Sequence, residues 1–170
     1  MPRRARRPVS FEDFLALHHV DEEVGFIGVV LRGHLAIEAL LVEMVGLCQE
    51  GNAWGMRFER RTEVLAEAGL ISHLMAKDLN KINTFRNDCA HIFSLQPEFP
   101  EVSELAKSLE VMAFDYFDGM EGSDGEALSK AHGTPSHAMG ALLVEVLHLL
   151  AYYLADAGGR DVFAPDDPAT

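Results

Sequence analysis

The sequence lacks long apolar runs, strand-like alternation of apolar and polar residues, and internal repeats. Its longest apolar run covers only the eight residues 24–31. Ionisable residues follow that run closely, namely Arg32, His34, Glu38 and Glu43. A membrane-spanning helix needs about 20 mainly apolar residues, so we predict no membrane segment. The basic start of the chain is not followed by the apolar region of a secretion signal, and we expect a cytoplasmic protein.

Cysteine is also scarce. The two cysteines, Cys48 and Cys89, lie on different predicted helices. Two isolated cysteines do not make a disulfide framework, and free cysteine behaves as a small apolar residue. We therefore predict that both are reduced and buried.

Positive charge is in short supply, with 14 lysines and arginines against 27 acidic residues and a net charge of −13. Proteins that coat nucleic acids need a basic surface, so we expect no broad coating of nucleic acid. A small site for one phosphate remains compatible with this charge. Four arginines cluster near the start, at positions 3, 4, 6 and 7. Residues 1–9 are predicted to be a disordered basic tail, or alternatively an arm that contacts RNA or an acidic partner.

Helical periodicity runs through the remaining sequence, and 48% hydrophobic residues suffice for the core of one domain, residues 10–157. The predicted helices cover 11–24, 26–49, 58–68, 73–93, 101–117 and 136–157. Capping residues support several starts: Ser10 with Asp13, Ser72, and Thr134 with Pro135. Residues 118–133 are predicted as a loop with one helical turn near 126–130, and 158–170 as a loose tail. The predicted fold is an all-α antiparallel bundle of about six helices.

The segment from Arg86 to His91 combines a permanent cation, the amide of Asn87 and a titratable imidazole. Arg86 lies on the apolar stripe of its predicted helix. It therefore needs a buried carboxylate partner or an opening to solvent, because an unpaired buried charge is costly. Two interpretations stay open, a structural ion pair or a functional site.

RNA cleavage without a metal ion would suit these groups. The ribose 2′-hydroxyl attacks the adjacent phosphate, a histidine transfers the proton, and an arginine stabilises the charge on the phosphate oxygens. On an ideal helix, however, His91 points about 140° away from Arg86. Either the helix breaks near Ala90, or two chains each supply half of the site across a twofold axis.

A second polar group lies on the predicted helix 26–49. His34 and Glu38 are one turn apart and are expected to form a hydrogen bond. Glu38 is also the candidate carboxylate that neutralises Arg86. Gly33 would allow another helix to approach closely.

Metal and cofactor motifs are incomplete. Glu145 and His148 have the Glu-x-x-His spacing of di-metal helical bundles, which need a second copy. Asp88 and His91 share the spacing with a shorter carboxylate. There is no Cys-x-x-Cys, no Walker-type glycine loop and no Gly-x-Ser-x-Gly, and we expect neither metal nor cofactor.

The motif Arg86-Asn87-Asp88-Cys89-Ala90-His91 resembles that of the HEPN superfamily, in which Arg is followed by four to six residues and then His, often with Asn directly after the Arg. The stretches Arg32-Gly33-His34-Leu35-x-Ile37-Glu38 and Leu79-x-x-Ile82-Asn83-x-x-Arg86-Asn87 resemble the branch that includes the mannitol operon repressor family. The resemblance covers about residues 29–93.

The resemblance implies an all-helical bundle, usually dimeric, with the motif at the dimer cleft. Many HEPN proteins are metal-independent ribonucleases that act as toxins or in defence against phage. Carried over, their catalytic roles fall on Arg86 and His91, with Asn87 assisting. His34, Glu38 and Asn83 would surround these groups as supporting residues.

The repressor-like branch implies a different function, a non-catalytic regulator that acts through partner proteins and has no direct, specific DNA binding of its own. Toxins of the superfamily that are paired with nucleotidyltransferase antitoxins often carry Tyr two residues after the motif His. This chain has Phe93 there, which has no hydroxyl to modify. We expect a homodimer that acts on RNA, or alternatively one that binds a protein partner.

Overall fold

The computed structural model describes residues 9–10, 12–13, 16, 25–49, 52–91 and 97–164. These residues form six α-helices and no strand, which confirms the predicted all-α bundle. The helices are α1 (Gly25–Cys48), α2 (Phe58–Glu67), α3 (His73–His91), α4 (Phe99–Ser108), α5 (Gly125–His132) and α6 (Pro135–Asp156). A short 3₁₀ turn, Ala53–Gly55, precedes α2. Most of the predicted helix 11–24, and Phe93, fall outside the described ranges.

The predicted helix starts agree with the hydrogen bonds. The Asp13 carboxylate accepts bonds from the backbone N–H and the hydroxyl of Ser10, at 2.8 and 3.0 Å. Ser72 Oγ accepts the backbone N–H of Met75 at the start of α3. Thr134 Oγ1 likewise accepts the N–H of His137, and Pro135 is the first residue of α6. Side-chain oxygens at these positions satisfy N–H groups that have no partner inside the helix.

The two longest helices, α1 and α6, pack against each other. By length and composition alone each could cross a membrane, but 50% and 61% of their most apolar windows are buried inside the bundle. The pair approaches closely at Gly33, where an added Cβ would lie 2.5 Å from Leu143 Cδ1. The predicted role of Gly33 in helix packing is thus confirmed.

Helices α2 and α3 run antiparallel beside this pair. Near the start of α2, Glu59 Oε1 accepts a bond from Asn83 Nδ2 at 2.8 Å. One turn further along α2, Thr62 donates to Asn80, which lies one turn earlier on α3. Helix α1 contacts both of them, so polar residues from three helices meet on the N-terminal half of α1.

The predicted helix 101–117 is wrong at both ends. Helix α4 begins at Phe99, with Pro100 in its first turn, and ends at Ser108. Leu109 is extended, and the buried Asp78 carboxylate of α3 accepts the next backbone N–H groups, those of Val111 at 2.8 Å and Met112 at 3.3 Å. A carboxylate from another helix thus replaces the partners that a continuing helix would supply.

Two further segments are more ordered than we predicted. The segment 118–133 contains the eight-residue helix α5 instead of one turn, with Asp124 as its N-cap. The described part of the expected loose tail, 158–164, packs on the bundle. Arg160 binds both carboxylate oxygens of Glu43, at 2.7 and 2.9 Å, and the carbonyl oxygen of Val9. Val162 is buried, so apolar burial and a paired charge hold this segment in place.

Candidate functional site

Arg86 lies near the end of α3 and is half-buried. Its Nη1 donates a hydrogen bond to Asn87 Oδ1 at 3.0 Å. Its Nε is buried and has no hydrogen-bond partner among the described residues. A buried donor without a partner costs free energy, so this guanidinium is suited to receive an acceptor from outside the chain.

The predicted pairing of Glu38 with Arg86 is wrong. Glu38 Oε1 accepts a bond of 2.6 Å from Nη1 of Arg61, an arginine of α2 that is almost fully buried. Arg61 also donates to the carbonyl oxygens of Ala53, at 2.9 Å, and Trp54, at 3.3 Å. Arg61 thereby neutralises Glu38 and fixes the 3₁₀ turn, and Glu38 is not left for Arg86.

Arg61 is not among the site residues predicted from the sequence, although its position on an apolar helix face could have indicated it. Positions 58, 61, 62 and 65 share one face of a helix, and Phe58 and Leu65 are apolar. The same argument that singled out Arg86 therefore applies to Arg61. Which of the two arginines faces Glu38 depends on how three helices pack, and sequence spacing within one helix does not determine this.

The predicted hydrogen bond between His34 and Glu38 is also absent. Instead, His34 Nε2 lies 2.9 Å from Asn83 Oδ1, and the imidazole stacks on the ring of Phe58. Because Asn83 Nδ2 donates to Glu59, its Oδ1 is the acceptor for His34. Burial lowers the pKa of His34, the hydrogen bond with Asn83 opposes this, and the nearby Arg86 charge lowers it further. His34 is therefore a neutral donor that positions Asn83.

His91 is the last residue of α3 and is exposed. It makes no hydrogen bond or ion pair with the part of the chain that the structure describes. Helix α3 is continuous through Ala90 to His91, so the break that we considered there is not present. Within one chain, Arg86 and His91 accordingly point about 140° apart.

Most of the lysines and arginines in the described ranges form ion pairs, whereas Arg86 does not. The described ranges contain ten lysines and arginines, of which six are in ion pairs with described carboxylates. The four that form none with described residues are Arg32, Arg57, Arg86 and Lys107. Arg86 differs from the other three because its Nε is buried and has no hydrogen-bond partner in the part of the chain that the structure describes. It is thus a partly desolvated cation without a described counter-charge.

The two cysteines differ in burial, and the possible metal ligands form no cluster among the described residues. Cys89 is buried as predicted, and burial raises its pKa to about 11. Cys48 is exposed, contrary to the prediction, because it is the final residue of α1. Among the residues described, no three His, Cys, Asp or Glu side chains group as metal ligands do.

Two subgroups therefore make up the candidate site, Arg86 with Asn87 and His34 with Asn83, and His91 lies at the helix end beyond them. No protein-family model, curated protein or solved structure matches this chain. The assignment of a function consequently depends on the chemistry of these side chains.

Proposed function

We propose that this protein is a cytoplasmic, metal-independent endoribonuclease of the HEPN type, acting as a toxin or in defence against phage. The observation that carries the proposal is Arg86, a half-buried guanidinium whose buried Nε has no hydrogen-bond partner, and whose charge has no ion pair, within the described ranges. A phosphodiester supplies the missing negative charge and the hydrogen-bond acceptors that an arginine fork binds.

Asn87 supports this role, since its Oδ1 accepts from Nη1 of Arg86 and fixes one edge of the guanidinium. In the reaction, His91 takes the proton of a ribose 2′-hydroxyl, and the 2′-oxygen bonds to the adjacent phosphorus. The bond from phosphorus to the 5′-oxygen breaks, and that oxygen receives a proton from the imidazolium formed on His91 or from water. Arg86 stabilises the charge on the phosphate oxygens. The products carry a 2′,3′-cyclic phosphate and a 5′-hydroxyl.

Because helix α3 is continuous, the proposed reaction needs a second copy of the chain. Because Arg86 and His91 point apart within one chain, Arg86 of one chain would act with His91 of the other. A twofold axis supplies two such half-sites at once, since the same surface meets itself. A homodimer is therefore part of the proposed function.

An alternative is a non-catalytic regulator that resembles the mannitol operon repressor family. The divergence of Arg86 and His91 favours it, as does the net charge of −13, which repels RNA. In this case Arg86 would bind an acidic group of a partner protein.

Incubation of the purified protein with total RNA in the presence of EDTA tests the proposal. We expect cleavage with cyclic-phosphate ends, and a loss of about 10²-fold or more in the His91→Ala variant, the usual contribution of a general acid or base. His73→Ala is the matched control, because His73 is an exposed histidine at the opposite end of α3. Equal cleavage by both variants, or none by the wild type, would favour the regulator.

Growth of cells that express the protein gives an independent readout. The wild type should slow growth, and His91→Ala and Arg86→Gln should relieve the effect. Arg57→Gln, which changes an exposed arginine, should not. Sedimentation of each variant shows whether a loss of toxicity reflects a lost dimer instead of lost chemistry.

A further inference from the structure

A groove of about 650 Å³ lies between α3 and α4, apart from Arg86 and His91. Phe85 of α3 and Leu105 of α4 provide its apolar floor, and Thr84 and Ser108 line its walls. Volumes of this size are typical of ligand-binding sites. The two helices run antiparallel here, since Lys81 of α3 donates to the carbonyl oxygen of Ser108 at the end of α4.

One end of the groove is electrically neutral. Lys77 forms an ion pair with Glu110 at 2.5 Å. Lys81 pairs with the buried Asp78 at 3.0 Å and lies 3.7 Å from Glu110. Two lysines therefore face two carboxylates, and little charge remains for a ligand.

The opposite end is acidic. It is lined by Asp88 of α3 and by Glu101 and Glu104 of α4. None of the three forms an ion pair with a lysine or arginine of the described ranges. Glu101 accepts the backbone N–H of Glu98 as part of the α4 cap. The groove thus combines an apolar floor with a concentrated negative charge at one end.

We propose that this groove binds a short basic segment of a partner protein. An apolar side chain of the segment would lie on Phe85 and Leu105, and its arginines or lysines would face Asp88, Glu101 and Glu104. From Lys77 to Asp88 the groove follows α3 for about 16 Å, which matches roughly five residues of extended chain. The acidic end repels phosphates, so nucleic acid does not fit this surface.

Fluorescence anisotropy with a labelled peptide of sequence RRLRR tests the proposal on the full-length protein. The triple variant Asp88→Asn, Glu101→Gln, Glu104→Gln removes three charges, and a glutamine at position 101 can still cap α4. We expect it to weaken binding about tenfold at low salt, in line with several exposed charge pairs lost together. Thr84→Arg, which places a cation on the groove wall, should weaken binding as well.

The matched control removes the same number of charges elsewhere. Asp115, Asp118 and Glu121 are exposed in the segment between α4 and α5. Their replacement by Asn, Asn and Gln should leave the affinity unchanged, and an EELEE peptide should not bind. Equal weakening in both triple variants would show attraction to net charge alone and would overturn the proposal, as would absence of binding to the wild type.

A last variant addresses the basic segment at the start of the chain. Replacing the arginines at positions 3, 4, 6 and 7 by glutamine should not change the affinity for the peptide. If the peptide bound about tenfold more tightly to this variant, the chain's own segment would be the occupant of the groove, and a partner protein would be ruled out as the primary ligand. None of these results depends on ribonuclease activity.

Discussion

The two arginines on apolar helix faces should differ strongly in how much stability the same substitution costs. Arg61 is buried, with bonds to Glu38 and to the carbonyl oxygens of Ala53 and Trp54. Within the described residues, Arg86 has one hydrogen bond, to Asn87, and a buried Nε without a partner. Methionine at either position keeps most of the apolar stem and removes the charge. We predict that Arg61→Met is strongly destabilising and that Arg86→Met is nearly neutral.

The magnitude for Arg61→Met follows from what the substitution leaves behind. Removing one partner of a buried ion pair costs about 3–5 kcal/mol, because the other charge stays desolvated. The Glu38 side chain keeps 27% exposure, so water can solvate part of its charge, and we expect the lower end, about 3 kcal/mol. For a domain of this size that corresponds to a decrease of roughly 6–12 °C in Tm. Arg86→Met breaks no described ion pair and should stay within about 0.5 kcal/mol.

Urea unfolding followed by circular dichroism in the far ultraviolet measures both values. The two variants and the wild type should unfold with similar m-values, so that the midpoints report stability directly. A cost for Arg86→Met equal to that of Arg61→Met would show that Arg86 is a structural residue, and the proposed phosphate site would lose its main support. A cost below about 1 kcal/mol for Arg61→Met would refute the buried-pair argument.

Two further predictions concern packing and pH. Gly33→Ala should destabilise the protein by about 1 kcal/mol, because the new Cβ would lie 2.5 Å from Leu143 Cδ1 and overpacking outweighs the gain in helix propensity. Gly46 lies on the same helix, and a Cβ added there would have no neighbouring atom within 4 Å. Gly46→Ala should therefore stabilise the protein by about 0.5–1 kcal/mol. If both substitutions changed the free energy of unfolding in the same direction, this packing argument would be wrong. Burial tends to raise the pKa of Asp78, but N–H groups of Val111 and Glu110 and the Lys81 side chain lower it overall. Its stabilising contribution is therefore fully present above the unfolded-state pKa of about 3.9 and is lost as pH falls through the lower folded-state value. Asp78→Asn should cost about 1–3 kcal/mol at neutral pH. If the urea midpoint of this variant fell as steeply in acid as that of the wild type, Asp78 would be excluded as the cause of the loss of stability in acid.

Much of the fold follows from local features of the sequence. The starts of α3 and α6 depend on a side-chain oxygen and on Pro135, and both lie within a few residues of the helix that they begin. The close approach at Gly33 could also be anticipated, although not the identity of Leu143 as its neighbour. Local signals fail at the end of α4, because the carboxylate that captures Val111 and Met112 comes from Asp78, which is 33 and 34 residues earlier in the chain.

For the candidate site, too, local sequence signals predict some features and miss the contacts between helices. The sequence identifies Arg86 as a charged residue on an apolar stripe, and its partly buried position agrees. It does not predict that Arg61 takes Glu38, or that His34 binds Asn83 instead of its helical neighbour. Each of these contacts joins different helices, so its partner is chosen by packing and not by spacing within one helix.

The contact between Arg160 and Val9 has a consequence for synthesis of the chain. The two residues are 151 positions apart. Most of the bundle must therefore leave the ribosome before the Arg160 guanidinium can bind Val9 and Glu43. Until then α1 exposes an uncompensated carboxylate beside its apolar surface. Closure of so long a loop is entropically costly, and we infer that this contact forms late in folding, after the helices between Val9 and Arg160 have packed.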